Sequence, residues 1–484
     1  MGDEDAPPAT AGPSDKQKRP SYFNPKPPAI VPALIACHPH APIVVVAIGA
    51  ALRVLNYETG EALLLSDATI PRRHREAIRA IAFHPSGALF ASGGDDKLVK
   101  VWDTATWTCR KTVSGPKKIS SVVFSADARW LCFSDKYGIV HVTSTGGPGD
   151  AVDSAEAGIK QLLAHCSSII TSLAMSPDGR FIASADRDYK LRVSVFPATP
   201  LAGAPEIQSF CLGHTSYLTA ALFLPGGLLV SAGGDGTLRL WQPQMGELLQ
   251  TLRLAGEQEI APVESVMSLD EGDSASESSG RAIVALALAP DGVSLAAALE
   301  GCSEVVFVHM VGEPPALVVA QRLSLGGRAP PTSLAFDAGG RVWRVAGAVQ
   351  EIETGDAVVT EEALAAKEAA AAAAAASAAV QVELLQRRET GVSARERSAE
   401  PVGHGAGEEA ASAAAVYEVG ELPGGSAAQG VLEGSQADAQ AAAEAAKAAT
   451  EAMRNLLGKR MYTEAEKIDR KRNRNDQKPP RGKS

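Results

Sequence analysis

The chain has 484 residues and a formal net charge of −10; 45% of it is hydrophobic, 5% aromatic and 21% charged. That length admits up to about three domains, and 45 Gly and 30 Pro against so few aromatics point to many turns and some low-complexity sequence. No apolar run of about 18 residues is present apart from alanine stretches too weakly hydrophobic for a bilayer. The acidic start, Met1-Gly2-Asp3-Glu4-Asp5, is unlike a secretory or transit segment. Cys37, Cys109, Cys132, Cys166, Cys211 and Cys302 are scattered without a C-x-x-C pair, which reads as a reducing compartment with no disulfide framework and no zinc site.

Residues 1–27 are Pro-rich and charged and read as disordered. Beyond them a turn recurs. Phe83-His84-Pro85-Ser86-Gly87, Met175-Ser176-Pro177-Asp178-Gly179, Phe223-Leu224-Pro225-Gly226-Gly227 and Leu288-Ala289-Pro290-Asp291-Gly292 share one pattern, with weaker copies at Cys37, Phe124 and Phe336. The spacings between the seven copies are 46, 41, 51, 48, 65 and 48 residues, close to the period of WD40 blades with loop insertions. Alternating runs such as Ala88–Ser92 and Leu98–Trp102, split by a Gly-Gly-Asp-Asp turn, read as short antiparallel strands. The expected fold is therefore all-β, a seven-bladed WD40 propeller over 28–355, with 28–65 supplying the first blade and the outer strand that closes the ring. Its longest gap holds an acidic loop insertion over 256–280.

Two blades carry a full polar signature, His74, Ser92, Asp96 and Trp102 in one and His214, Ser231, Asp235 and Trp241 in the other. An Asp in a tight turn holds a His, which reaches a Ser hydroxyl and a Trp N–H, so the four staple strands within a blade. The Ser, His and Asp are not a catalytic triad: they recur at nearly the same offsets, as structural residues do and a unique active site does not.

After the propeller, residues 363–380 are nearly all alanine and expected to form an exposed or fluctuating helix. The stretch 356–440 reads as an Ala/Gly-rich low-complexity linker. Over 441–484 a basic, partly helical tail is expected, with an irregular apolar face of Met453, Leu456, Leu457, Met461 and Ile468 that either docks on a partner or phosphate backbone or stays exposed. From Arg454 onward there are 11 basic and 4 acidic residues, so an acidic body ends in a basic tail.

Enzyme signatures are missing: there is no P-loop and no H-E-x-x-H. Gly403-His404-Gly405-Ala406-Gly407 lacks the strand–turn–helix setting in which backbone N–H groups face a nucleotide. The chain reads as a binding scaffold without catalytic, cofactor or metal residues.

Ala185-Asp186-Arg187-Asp188-Tyr189-Lys190-Leu191-Arg192-Val193-Ser194 followed by Phe210-Cys211-Leu212-Gly213-His214 resembles the non-catalytic WD-repeat subunit of tRNA (guanine-N7)-methyltransferase, and Ser134-Asp135-Lys136-Tyr137-Gly138 is similar to the Asp-Lys turn of that family. The resemblance is strong over 160–245, moderate over 74–145 and weak elsewhere. It implies a heterodimer with a Rossmann-like catalytic subunit, which binds S-adenosylmethionine and methylates guanine N7 in the tRNA variable loop, while the propeller does no chemistry. Tyr189 stands where the family usually has an acidic residue, and Ser194 and Thr143 replace the blade tryptophan.

Aligning the strands puts Lys136 and Arg187 at equivalent places on one rim of adjacent blades. A rim Arg can pair bidentately with a partner carboxylate, or be satisfied by its own Asp neighbours. The expected partner-binding set is Arg187, Lys136, Asp186, Asp188 and Lys190, with Arg187→Ala weakening the heterodimer far more than Arg72→Ala. Expected partners are the catalytic subunit and, through the complex, tRNA, with no membrane. The run Arg470-Lys471-Arg472 reads equally as a nuclear-import signal, so the nucleus is expected, with the cytoplasm as a second location. The alternative is a generic WD40 adaptor, such as a ubiquitin-ligase substrate receptor or a chromatin scaffold.

Overall fold

The computed structural model describes residues 30–66, 73–146, 158–165, 168–254, 281–350, 369–370, 373–375, 378–387, 417–423, 425–433 and 439–458. Residues 1–27 and 256–280, read above as disordered and as a loop insertion, lie outside them.

β-Branched and aromatic residues in short runs between Gly- and Pro-bearing turns give strands of three to nine residues. A short strand, β1 (Ile30–Pro32), comes first. The first blade is β2 (Leu34–Cys37), β3 (Ile43–Ile48), β4 (Ala51–Asn56) and β5 (Glu61–Leu63). The second is β6 (Ile78–Phe83), β7 (Leu89–Gly94), β8 (Leu98–Asp103) and β9 (Thr108–Ser114). The third is β10 (Ile119–Phe124), β11 (Trp130–Asp135), β12 (Ile139–Ser144) and β13 (Lys160–Ala164). The fourth is β14 (Ile170–Met175), β15 (Phe181–Asp186), β16 (Lys190–Val195) and β17 (Ile207–Leu212). The fifth is β18 (Leu218–Phe223), β19 (Leu229–Gly233), β20 (Thr237–Gln242) and β21 (Glu247–Arg253). The sixth is β22 (Ile283–Leu288), β23 (Ser294–Leu299), β24 (Glu304–Val311) and β25 (Ala316–Ser324). The seventh is β26 (Ser333–Phe336), β27 (Val342–Gln350), β28 (Ala379–Arg387) and β29 (Tyr417–Gly420).

All pairings within blades are antiparallel, and the first strands of neighbouring blades contact one another around the ring, β26 against β2 at the join. The recurring turn links the first strand of a blade to the second. Its closing bond repeats, from Gly87 N to His84 O at 2.8 Å, Gly179 N to Ser176 O at 2.9 Å and Gly292 N to Ala289 O at 3.0 Å. Ala128, at φ 58°, takes the glycine's left-handed position in the third blade. The same bulge falls near the start of five first strands, at Ile78/Ala80, Ile119/Ser121, Ile170/Ser172, Leu218/Ala220 and Ile283/Ala285.

Apolar clusters fill the seams between successive blades, such as Phe90 and Trp102 against Val45 and Val54, or Trp241 and Leu218 against Leu191 and Cys211. The closing seam packs Ile35, Val46 and Leu55 on Trp343, Val382 and Leu384. Radial packing of this kind buries the second and third strands of each sheet on both faces and leaves the outermost strand partly exposed.

Closure differs from the expectation. The outer strands of the seventh blade come from the stretch read as linker, and the boundary at 355 falls inside that blade. The N-terminal β1 instead pairs Ile30–Pro32 with Ala348–Gln350, on the inner edge of β27 beside β26. The apolar/polar alternation of Val380-Gln381-Val382-Glu383-Leu384 follows directly on the alanine run and was masked by it. Arg344 of β27, buried beside this strand, donates from Nε to Glu383 at 3.0 Å and from Nη1 to Ala329 O at 2.6 Å. Tyr417 of β29 stacks on Phe307 of the sixth blade at 4.0 Å and exchanges two hydrogen bonds with Gln321. The part of the alanine run that is described is not exposed throughout: Ala375 and Ala378 are buried in the closing seam, where small side chains allow close approach.

Two helices follow, α1 (Gly425–Leu432) and α2 (Ala439–Leu457). Ala428 and Leu432 of α1 join the closing seam. From the seventh blade, where Ala442 packs on Ala329 and Ala346, α2 runs to the inner ends of the fourth to sixth blades. There Met453 and Leu457 pack with Ile169, Tyr189, Tyr217 and Ala282, and Arg454 bonds Glu300. Part of the tail's apolar face is thus used by this chain itself, while Leu456 is exposed and Met461 and Ile468 lie outside the described residues. Among the described residues no helix is long and apolar enough to cross a membrane.

Candidate functional site

Polar staples position one rim of the ring. In the second blade His74 Nδ1 lies 3.0 Å from Asp96 Oδ2 and Nε2 lies 2.8 Å from Ser92 Oγ, which accepts the Trp102 indole N–H at 3.1 Å. In the fifth the distances are 2.9 Å for His214–Asp235, 2.7 Å for His214–Ser231 and 2.8 Å for Trp241–Ser231. Burial raises the Asp235 pKa, yet hydrogen bonds from His214, Thr237 and the Thr215 amide overcome it and hold the carboxyl below the usual range. Asp96 is lowered in the same balance, by His74 and by the amides of Arg75 and Leu98.

The third and fourth blades solve the problem differently. His165 Nδ1 meets Asp186 Oδ2 at 2.9 Å and Nε2 meets Ser184 Oγ at 2.7 Å, while Arg192 Nε donates to Ser194 at the missing tryptophan's position. In the third blade Phe133 occupies the serine position. His141, on β12, stacks on it at 5.2 Å and bonds Asp135 Oδ2 at 3.0 Å. Sequence reasoning missed His141 because it comes from a strand rather than from the loop before the first strand.

The backbone fixes which turn residues correspond. Asp95 N, Lys136 N, Arg187 N, Gly234 N and Glu300 N each donate to the loop entering the blade's first strand, to Ala77, Lys118, Ile169, Tyr217 and Ala282 O respectively, at 2.7 to 3.0 Å. In this register the staple carboxylates Asp96 and Asp235 lie one residue after the shared position, whereas Asp135 and Asp186 lie one residue before it, where the other blades have Gly94 and Gly233. A Cβ at Gly233 would sit 2.6 Å from His214 Nδ1 and 2.8 Å from Asp235 Oδ1. Each turn therefore has room for a single carboxylate stem beside the histidine. Where the stem comes from the earlier position, the later one, Tyr137 in the third blade and Asp188 in the fourth, does not hold the histidine.

Asp186, expected to face a partner, is instead buried, with Oδ2 on His165 and Oδ1 accepting the amides of Asp188 and Lys190 at 2.8 and 3.0 Å. It shapes the turn. Arg187 is half-buried, and its Nε lies 4.0 Å from Asp188 Oδ1, beyond hydrogen-bond range, with no other partner among the described residues. Lys136 is exposed, its Nζ 5.6 Å from the centre of the Tyr137 ring, which Lys117 Nζ also approaches at 5.1 Å. Lys190 is exposed at the start of β16. Tyr189 adopts φ 70° and packs against α2. Arg72 lies outside the described residues.

The acidic counterparts on this rim are neutralised within the chain. Asp95 accepts Arg79 at 2.7 Å and lies 3.4 Å from Lys118, and Glu300 is bonded by Arg454. Lys136 and Arg187, in adjacent blades, are left without a carboxylate at hydrogen-bond distance among the described residues. The site offers cations to an acidic partner. Among the described residues no group of three His, Cys, Asp or Glu could hold a metal. The described cysteines are free, and burial pushes the Cys211 thiol up to about 12, which disfavours the thiolate.

A family model described as the tRNA methyltransferase TRM82 WD40 domain matches residues 147–362, and the WD domain, G-beta repeat, matches residues 68–103. The tRNA (guanine-N(7)-)-methyltransferase non-catalytic subunit of Xenopus laevis is 31% identical over 281 residues, 57% of this chain and 64% of that relative. Its Homo sapiens counterpart is 37% identical over 187 residues, covering 38% and 42%. That of Dictyostelium discoideum is 34% identical over 194 residues, covering 37% and 40%. The chain spans about two fifths of the length of the Homo sapiens and Dictyostelium discoideum relatives. The WD-repeat propeller and the resemblance carried by its fourth and fifth blades thus both hold: this chain is similar to the non-catalytic subunits of tRNA (guanine-N7)-methyltransferase.

Proposed function

We propose that this chain is the non-catalytic scaffold subunit of a tRNA (guanine-N7)-methyltransferase, holding the catalytic subunit at the rim of its third and fourth blades. The observation that carries the reading is Arg187. The displaced staple at Asp186 leaves its guanidinium at the rim without a hydrogen-bonded carboxylate, next to the equivalent Lys136. A partner carboxylate would complete it bidentately. S-adenosylmethionine belongs on the catalytic subunit, which forms N7-methylguanosine in the tRNA variable loop. The basic residues 459–484 take tRNA phosphates, a contact that weakens steeply with salt. Arg470-Lys471-Arg472 directs the complex to the nucleus.

The test is capture of the tagged chain from its own cells, with bound proteins identified by mass spectrometry. A stoichiometric methyltransferase-fold chain should be recovered. It should be lost with Arg187→Glu and kept with Arg180→Glu, an exposed arginine at the other end of β15. Recovery of a ubiquitin-ligase or chromatin complex with no methyltransferase would refute the reading.

A further inference from the structure

The motif Phe210-Cys211-Leu212-Gly213-His214 is only partly explained by the fold. Cys211 is buried in the seam between the fourth and fifth blades, His214 belongs to the fifth-blade staple, and Gly213 holds φ 153° at the crossing between blades. Phe210 and Leu212 have no such employment. They lie on β17, the outermost strand of the fourth blade, and their side chains are 44% and 60% exposed.

Alternation along a strand puts both on the face opposite Cys211. The fifth-blade turn over 243–246 is pressed against β17. Gln208 Nε2 donates to Gln244 O at 2.9 Å, Ser209 Oγ donates to Pro243 O, and a Cβ at Gly246 would lie 2.5 Å from Phe210 O. That turn brings Met245, 76% exposed, to the same stretch of the circumference. At its other end the stripe meets the rim, because Leu212 is the register partner of Lys190, three residues from Arg187. Large apolar side chains that are grouped and rimmed by charge mark an interaction surface, whereas scattered ones do not.

We propose that Phe210, Leu212 and Met245 form the apolar part of the surface that takes the catalytic methyltransferase subunit, with Lys190 and Arg187 at its upper end receiving that partner's carboxylates. This rests on the function proposed above. Its occupant follows from charge and continuity. Among the described residues, Lys190 and Arg187 at the upper end of the stripe have no carboxylate at hydrogen-bond distance, while Arg192, beside Phe210, is bonded within its own blade, so a partner reaching the first two with carboxylates lies along β17. Protein interfaces place apolar anchors beside a charged rim in this way.

The experiment compares Phe210→Ser/Leu212→Ser with wild type and with Arg187→Glu, titrating each full chain against the purified tRNA (guanine-N7)-methyltransferase catalytic chain of the same organism. The double variant should bind at least about 20-fold more weakly at 0.1 M salt, and proportionally as weakly at 0.5 M, because an apolar contact is not screened. The Arg187→Glu defect should shrink at high salt, since the wild type loses its own ion pairs there. Amides of Ile207–Leu212 in the wild-type chain should gain hydrogen-exchange protection in the complex, a readout that stands even if the double variant misfolds. Wild-type affinity in a folded double variant, or unchanged exchange along β17, overturns this proposal while an Arg187→Glu defect keeps the broader reading. No binding by the wild-type chain overturns both.

Discussion

The displaced staple makes a prediction that repeat alignment alone would get wrong. Asp188 stands where the second and fifth blades have Asp96 and Asp235, yet the fourth-blade histidine is held by Asp186. Asp186→Ala removes the acceptor for three donors, His165 Nδ1 and the amides of Asp188 and Lys190. A hydrogen bond to a charged group contributes about 1.5–3 kcal/mol, and an orphaned buried donor costs a similar amount. The three do not add, because the turn amides recover water, so a loss of about 3 kcal/mol is expected. With a urea slope of about 3 kcal/mol/M, the unfolding midpoint falls by about 1 M. Asp188→Ala leaves the His165–Asp186 contact in place, so its loss should be clearly smaller than that of Asp186→Ala. Urea titrations followed by tryptophan fluorescence measure both. The relation inverts in the fifth blade, where Asp235→Ala is the damaging change. Gly233→Asp alone also destabilises that blade, through its clash with His214, and should be partly rescued when combined with Asp235→Ala. A loss at Asp188 equal to that at Asp186 would refute the two-position account of the staple.

Acid should act through the same carboxylates. Asp96, Asp135 and Asp235 are all held below their ordinary pKa in the folded chain, burial opposing and hydrogen bonds prevailing. Their stabilisation is therefore complete above the unfolded value of about 3.9 and is lost as pH falls through the lower folded values. Asp235→Asn should flatten the decline in urea midpoint below about pH 4, and an unchanged pH profile would contradict this. At the closure, Arg344→Ala removes the buried partner of Glu383, which keeps the more exposed Arg328 at 3.2 Å, and leaves Ala329 O without its guanidinium donor. The loss should be about 2–3 kcal/mol, read as a lower thermal midpoint and faster hydrogen exchange in Ala379–Arg387. Replacing both residues with apolar ones should recover much of that loss.

What the sequence made legible follows the strength of its repeats. The anchor turns, the bulged first strands and the tetrads of His74 and His214 obey local rules of turn chemistry and period-two alternation, so seven blades could be read from seven turns. The seventh blade was harder. Its outer strands are separated from β27 by alanine-rich sequence and by residues 388–416, which no local rule joins to a sheet; only the closing seam, with Trp343 and Val382 packed on Leu55, joins them. His141 was hidden for a related reason, since stacking on Phe133 is a contact across strands. Asp186 was placed in the right turn but given the wrong task, because two carboxylates one residue apart cannot be told apart without the glycine that each would displace.

The departures from the repeat also restrict how a partner can approach. At the shared turn position the second and sixth blades carry Asp95 and Glu300, each neutralised by a cation of this chain. The fifth carries Gly234, which a side chain could not replace, since a Cβ would lie 2.8 Å from Ser216 Oγ and the Tyr217 ring. Tyr189, Tyr217 and Ala282, on the inner side of the fourth to sixth blades, are packed against α2. A peptide entering over that inner side, as a generic adaptor would require, meets this helix first. In the third and fourth blades Lys117, Lys136 and Arg187 have no carboxylate at hydrogen-bond distance among the described residues, the nearest being Asp188 at 4.0 Å from Arg187. An acidic protein surface reaching these cations competes with that one carboxylate, whereas at the second and sixth blades it would meet Asp95 and Glu300 directly.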